Sequence, residues 1–237
     1  MEYIINDKEK IAFLLKTTKS EYIKPMTKNG RFCFTQPFVF NKWENKDSAQ
    51  YDKWDSHSAY EITHLVAAPI LGTVDGQPKY GKIQKVRNKG IVREQDAFVK
   101  QSFICCFRYI PTSDVSETGV IHSFFNGNAE RIMKEFKHDA FIILPASEFI
   151  ERLLKKVNLF AYGPIVYKDF LNDYRFQVPE DKRVVIEQLF RKDCKYEWQR
   201  EYRFVLPPQP NNTTTNYFVE IGSIEDIAFS GKIADYI

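Results

Sequence analysis

The segment DCKYEWQREYRFVL, residues 193–206, sets Gln199 two positions before Glu201 at the start of a predicted strand. Side chains at i and i+2 of a strand share a face, so this carboxamide and carboxylate project together while Arg200 and Tyr202 turn away. A carboxylate beside a carboxamide suits chemistry in which a cationic transition state is stabilised and a second reactant is oriented. The same alternation also describes an exposed edge strand with polar residues, and Q-x-E alone does not separate the two. Far earlier, Asn29-Gly30 signals a turn, and Arg31 opens a strand of about five residues in RFCFT, where Phe32 and Phe34 alternate with other residues.

A second set of candidates is basic. Lys79, Lys82, Lys85, Arg87, Lys89 and Arg93 precede the next acid, Glu94, with Tyr80, Ile83 and Val86 between them. Such a run can follow a phosphate backbone, with Lys82, Lys85 and Arg87 as its centre and Tyr80 free to stack. Lysine-rich hairpin edges also prevent strand pairing, so a purely protective role stays open. The net charge of +3, from 34 basic and 31 acidic residues, produces a weak average field, and a nucleic-acid reading has to rest on this local cluster. His57, His64, His122 and His138 form no zinc-binding pattern, and Cys33, Cys105, Cys106 and Cys194 lack metal-ligand spacing. No metal is expected, and the cysteines read as free thiols. P-loop, G-x-G-x-x-G and G-x-S-x-G motifs are absent, which removes the ordinary kinase, Rossmann and α/β-hydrolase readings.

Positioning these residues falls to a chain of 237 residues, suited to a single domain over 1–237. Residues 7–18 read as a short amphipathic helix capped by Asp7, with Ile11, Leu14 and Leu15 on one face. The stretch 41–60 has no clean period. Strands are expected over His64–Leu71, FVKQSFICCFRYI, AFIILP, GPIVY, YRFVL, NYFVEI and DIAFS, with helices near Ala129–Phe136, over PASEFIERLLKK and over Asp181–Phe190. Strands outnumber helices without alternating with them, which points to an α+β fold of two small mixed or antiparallel β-sheets forming a cleft, with peripheral helices. No apolar run approaches the roughly 20 residues of a membrane span, and the N-terminus lacks a signal-like segment, so a cytoplasmic protein without a membrane partner is expected.

An arginine opening an early strand (Arg31) and a late Q-x-E strand (Gln199, Glu201), in that order, together resemble the ADP-ribosyltransferase superfamily. The likeness runs over residues 29–206. The wording GRFCFTQPFVFN, AFIILP, YGPIVYKD and KYEWQREYRF is also similar to bacterial proteins found near phage-defence and toxin loci. The resemblance implies that NAD is the cosubstrate, that Arg31 holds its pyrophosphate or ribose, and that Glu201 bonds the nicotinamide-ribose 2′-hydroxyl and stabilises the ribosyl cation. It gives Gln199 the task of orienting the acceptor, and the segment FRKDCKYEW before it would match the loop that meets the acceptor, with Tyr196 and Trp198 as stacking candidates or else aromatic residues burying the strand entry. Glutamate at that place goes with arginine targets in the superfamily, and glutamine with others, including asparagine and nucleobases. Family members often carry Ser-Thr-Ser on a middle strand; here QSFICCFRY offers only Ser102 as a residue to orient Glu201 or to contact the cofactor.

The expected activity is thus mono-ADP-ribosyl transfer to a macromolecule, with RNA or DNA favoured over protein, in a toxin or anti-phage effector restrained by an antitoxin or inhibitor protein. The alternative is a non-catalytic module that uses the same basic and aromatic surface to hold nucleic acid or a partner protein.

Overall fold

The structure is a computed structural model, in which side chains are described for residues 10–40, 56, 97–169 and 186–237, and backbone alone for the strands at 3–4 and within 58–94. Strands β1 (Tyr3–Ile4), β2 (Ile11–Thr18) and β3 (Arg31–Thr35) come first. Six short strands follow, β4 (Ser58–Ile62), β5 (Leu65–Ala67), β6 (Ile70–Val74), β7 (Gln77–Tyr80), β8 (Gln84–Val86) and β9 (Gly90–Glu94). The remainder are β10 (Phe103–Pro111), β11 (Ala140–Pro145), β12 (Ala161–Pro164), β13 (Val166–Lys168), β14 (Arg191–Asp193), β15 (Glu201–Leu206), β16 (Asn216–Glu220) and β17 (Phe229–Lys232). The helices are α1 (Ile23–Asn29), α2 (Phe38–Asn41), α3 (Ala97–Gln101), α4 (Ala129–Phe136) and α5 (Ala146–Leu154).

The fold is α+β as expected, but the two small sheets are replaced by one nine-stranded sheet, ordered β1-β12-β15-β10-β2-β11-β17 with β3 on β10 and β16 on β3. Its pairs are antiparallel except β1 with β12. Three separate antiparallel pairs, β4 with β9, β5 with β8 and β6 with β7, lie outside this sheet, as does the parallel pair β13 with β14.

The sheet forks at β10. One edge of β10 is taken by β15 from Phe103 to Arg108. The other edge pairs with β2 over Arg108–Pro111 and with β3 at Ile104. Past the Arg108–Leu15 pair, β2 leaves β10 and runs on against β11 alone, so Cys105–Phe107 face a gap between β2 and β3. That gap is where a cleft can form without a second sheet.

The expected helix over 7–18 is strand β2 from Ile11 onward. Its apolar spacing fits a helix, but Leu14 and Leu15 are both fully buried on opposite faces, and Ile11, Thr17 and Thr18 are β-branched. Pairing with β10 and β11 on both edges outweighs the local pattern. Helices α4 and α5 and strands β3, β11, β15 and β16 fall where the periodicity places them. Of the expected Asp181–Phe190 helix, residues 181–185 lie outside the described residues and 186–188 are helical.

One face of the sheet carries a phenylalanine core. Phe107 meets Phe149 of α5 at 5.2 Å and Phe204 at 5.6 Å, and Phe32 of β3 meets Phe149 at 5.2 Å. Each such buried ring contributes about 2–3 kcal/mol, so β3, β10 and β15 are held together from below. The opposite face has two apolar clusters, one around Leu15, Ile110, Phe125 and Ile143, the other around Ile104, Ala161 and Val205. Between them, on β10 and β15, lie Cys106, Arg108, Glu201 and Arg203.

Candidate functional site

A cavity of about 760 Å³ occupies the fork. Its walls are β2 from Leu15 to Thr18, Arg31, Cys33 and Thr35 of β3, β10 from Ile104 to Arg108, and the start of β15. Glu21, Tyr22, Pro25 and Met26, between β2 and β3, line another side. Its charged lining is Lys16, Arg31, Arg108, Lys192 and Arg203 against Glu21 and Glu201, a clear cationic excess.

Gln199 and Glu201 converge, though not by the expected strand alternation. Gln199 ends a 3-10 helix over Cys194–Gln199, and Arg200 takes a left-handed backbone at φ 44° and ψ 55° before β15 begins. The turn is held by Arg200 N–H donating to the Glu197 carbonyl at 3.0 Å, by Tyr109 N–H donating to the Arg200 carbonyl at 2.8 Å, and by an ion pair from Arg200 to Asp114. A non-glycine residue in this region costs on the order of 1 kcal/mol and persists because these contacts over-determine it. Lys192 Nζ then donates to Gln199 Oε1 and Glu201 Oε2, each at 2.8 Å.

Glu201 is 5% exposed, and its other oxygen accepts from Arg203 Nε. Arg203 also donates to Ser56 Oγ at 3.1 Å and to the Leu189 carbonyl at 2.8 Å. Burial pushes the Glu201 carboxyl up, but Arg203 and Lys192 outweigh it and hold the group well below the usual carboxylate range. Glu201 is therefore ionised, with the Cys106 thiol as a further hydrogen-bond partner beside Lys192 and Arg203. The Cys106 thiol beside it is pushed well up by burial and by the Glu201 charge, which removes it as a nucleophile. Tyr167 Oη accepts from the Glu201 backbone N–H at 2.9 Å and so fixes the first residue of β15.

Arg31 lines the same cavity as Glu201. Gly30 delivers it, with φ 57°, and a Cβ there would meet the Gly222 carbonyl oxygen at 2.3 Å. The Arg31 side chain is 47% exposed, lies 4.5 Å over the Phe218 ring and is 3.8 Å from Glu220. Phe218 and Tyr22, both about half exposed, stand with it at the cavity rim.

No family model, curated protein or solved structure matches the chain. The site is accordingly read from its own residues.

Ser102 is not brought to Glu201. It precedes β10, six positions before Arg108, the residue paired with Glu201, and donates to the Phe98 carbonyl at 2.8 Å. It is fully buried and does not line the cavity. Tyr196 is also buried away from the cavity, with the ammonium groups of Lys195 and Lys192 at 4.8 and 5.3 Å from its ring. Trp198 does line the cavity, with Arg131 stacked 4.0 Å from its ring. Lys82 and Arg87 lie outside the described residues, and Lys85 is described only as backbone in β8, paired with Val66.

Four site residues were not singled out in the sequence, namely Lys16, Arg108, Lys192 and Arg203. Arg203 had a signal, because it follows Glu201 at i+2 on a strand, and Arg108 had another, as a charge inside the apolar run FICCFRYI. Lys192 had none, since nine residues and a left-handed turn separate it from Glu201. All four cysteines are free, and among the described residues no helix is long and apolar enough to cross a membrane.

Proposed function

We propose that the chain is an NAD-dependent mono-ADP-ribosyltransferase, and the observation that carries this reading is that Arg31, Gln199 and Glu201 line one cavity. Its volume of about 760 Å³ lies within the range of small-molecule sites. The cationic excess suits the pyrophosphate, and the aromatic lining, Phe136, Trp198 and Phe218, suits a base.

NAD supplies the activated C1′–nicotinamide bond. The ionised Glu201 accepts the ribose 2′-hydroxyl and faces positive charge that develops at C1′ as the bond pair leaves with nicotinamide. Stabilisation that grows only in the transition state raises the rate rather than merely tightening binding. Lys192 ties the Gln199 carbonyl oxygen to Glu201, and in this reading the Gln199 carboxamide orients an acceptor whose lone pair attacks C1′ and whose proton passes to solvent. RNA or DNA is the favoured acceptor, on the strength of the basic run Lys79–Arg93 and of Gln199 in place of glutamate. A role as a toxin or anti-phage effector, restrained by a partner protein, belongs to the same reading.

A second reading, a non-catalytic module holding nucleic acid or protein, is favoured by one observation: both Glu201 oxygens already have cationic partners. Incubation with NAD labelled in the adenylate moiety, in separate pools of RNA, DNA and protein, tests both. Label on RNA or DNA with equimolar nicotinamide release is expected. Nucleic-acid binding without nicotinamide release in any pool would leave the second reading.

A further inference from the structure

The cations of the cavity divide into two kinds. Lys192 and Arg203 are matched to Glu201, and Arg31 at the rim to Glu220. Arg108 and Lys16 have no carboxylate within ion-pair distance among the described residues. Arg108 is 8% exposed, yet its single hydrogen bond among these residues runs from Nη1 to the Trp198 carbonyl at 2.7 Å. A guanidinium has five N–H donors, so Nε and Nη2 point at no protein acceptor there, and neither is sealed from solvent. Lys16 Nζ crosses the fork to the Cys106 carbonyl at 2.6 Å and lies 5.2 Å over the Phe107 ring, with the Glu201 charge acting on it only from beyond ion-pair distance.

Burying a cation without an ion pair is expensive, and at Arg108 the surrounding acidic groups offset that cost only in part. Burial, and then the neighbouring Arg200 charge, pull the Arg108 pKa down to about 10, and Asp114, the carboxylate that acts on it, is already paired with Arg200. The Trp198 indole Nε1 nearby also lacks a hydrogen-bond partner, but it is sealed from solvent, so the accessible surplus is that of Arg108 and Lys16. Donors and positive charge in surplus, lining an accessible cavity, describe a place completed by an anion.

We propose that Arg108 is the anion anchor of the cavity, gripping phosphoryl oxygens of the ligand through its free guanidinium edge, with Lys16 adding positive charge from the other strand of the fork. This rests on the transferase reading only for the source of the phosphate. There it moves the NAD pyrophosphate to Arg108 and leaves Arg31, exposed at the rim, to the ribose.

Calorimetric titration with ADP-ribose, pyrophosphate, inorganic phosphate and, as an uncharged reference, adenosine tests the proposal in wild type, Arg108→Lys and Arg108→Met. ADP-ribose and pyrophosphate are expected to bind wild type. Arg108→Lys should bind them roughly tenfold more weakly, because an ammonium lacks the planar fork, and Arg108→Met more weakly still. Adenosine binding should be the same in all three. Binding of inorganic phosphate alone would identify a free-anion site, whereas ADP-ribose and pyrophosphate together identify a diphosphate site. Equal ADP-ribose affinity in wild type and folded variants overturns the proposal. So does a parallel loss of ADP-ribose and adenosine, the mark of a residue that merely holds the Trp198 carbonyl. Should Arg108→Met fail to fold, the ADP-ribose to adenosine ratio in Arg108→Lys decides alone. If Arg108-dependent binding persists while NAD is never cleaved, the transferase reading fails and the anion site stands; cleavage with unchanged affinity in Arg108→Lys gives the reverse.

Discussion

Arg203 and Arg108 stand on neighbouring strands, on the same face of one sheet, and both are almost fully buried, yet their surroundings differ. Around Arg203 the polar groups complete one another: its guanidinium meets Glu201, Ser56 and the Leu189 carbonyl, while Lys192 closes the far side of the carboxylate. Around Arg108 a single carbonyl faces the whole guanidinium. The first region is a finished network and holds β14, the 3-10 turn and β15 in place, whereas the second awaits a partner from outside the chain. Buried charge therefore serves two purposes here, and the number of protein acceptors tells them apart.

The most severe way to break this contrast is to open the finished network. Glu201→Gln keeps the shape but leaves Lys192 and Arg203 facing a neutral group, so transfer should fall by about 10²-fold or more. Breaking a buried ion pair from one side should also cost about 3–5 kcal/mol of stability. Urea unfolding and nicotinamide release, measured on the same folded preparation, check both. Near-wild-type turnover would remove Glu201 from catalysis.

Arg31→Lys acts at the exposed rim and should do less. The expected loss in NAD affinity is about 1 kcal/mol, roughly fivefold, since the ammonium cannot reproduce the planar donor edge. Titration with NAD under non-turnover conditions measures it, and a loss larger than that of Arg108→Lys would reverse the ranking of the two arginines.

Ser102→Ala sharpens the contrast from the opposite end of β10. Only the bond to the Phe98 carbonyl disappears, so stability should fall by about 1 kcal/mol while NAD affinity and turnover stay unchanged. A catalytic defect in the folded variant would restore Ser102 to the site.

The smallest effect concerns His138, which lines the cavity and shares a 2.9 Å hydrogen bond with Thr17 Oγ1. Burial, and then the Lys16 charge, lower its pKa to about 4 from an ordinary value of 6.5. Between those values the unfolded chain binds more protons than the folded one, so stability rises with pH from about 4 to 6.5 and is lost as pH falls through that window. Glu201, with its depressed carboxyl, adds a further loss only below the ordinary glutamate range. Thermal melts between pH 4 and 7.5 should therefore show a shallower slope above pH 5 for His138→Gln than for wild type. An unchanged slope would mean that His138 is not held neutral.

Much of the scaffold is legible in the chain. The alternation in RFCFT, the apolar run AFIILP and the periodicity of AERIMKEF and SEFIERLL each report a local preference that packing then confirms as β3, β11, α4 and α5. The segment Ile11–Thr18 is not legible, because two leucines in sequence suit a helix face or a strand buried on both sides equally well, and only pairing with β10 and β11 decides. The proximity of Gln199 and Glu201 was visible for the wrong reason, since the Arg200 turn, not strand alternation, aims both at Lys192.

By itself the sequence determined which residues can bear charge, where glycine must turn the chain ahead of Arg31, and that the chain builds strands and helices in an α+β order. Those properties reside in single residues and short periods, which local sterics and hydrophobicity govern. Only the tertiary structure decided that β10 would share one edge between β2 and β3, opening a cavity, and which cations would find a carboxylate inside it. Ion pairing depends on side-chain atoms within about 4 Å across strands distant in sequence, and burial alone makes the missing partner of Arg108 costly enough to carry meaning.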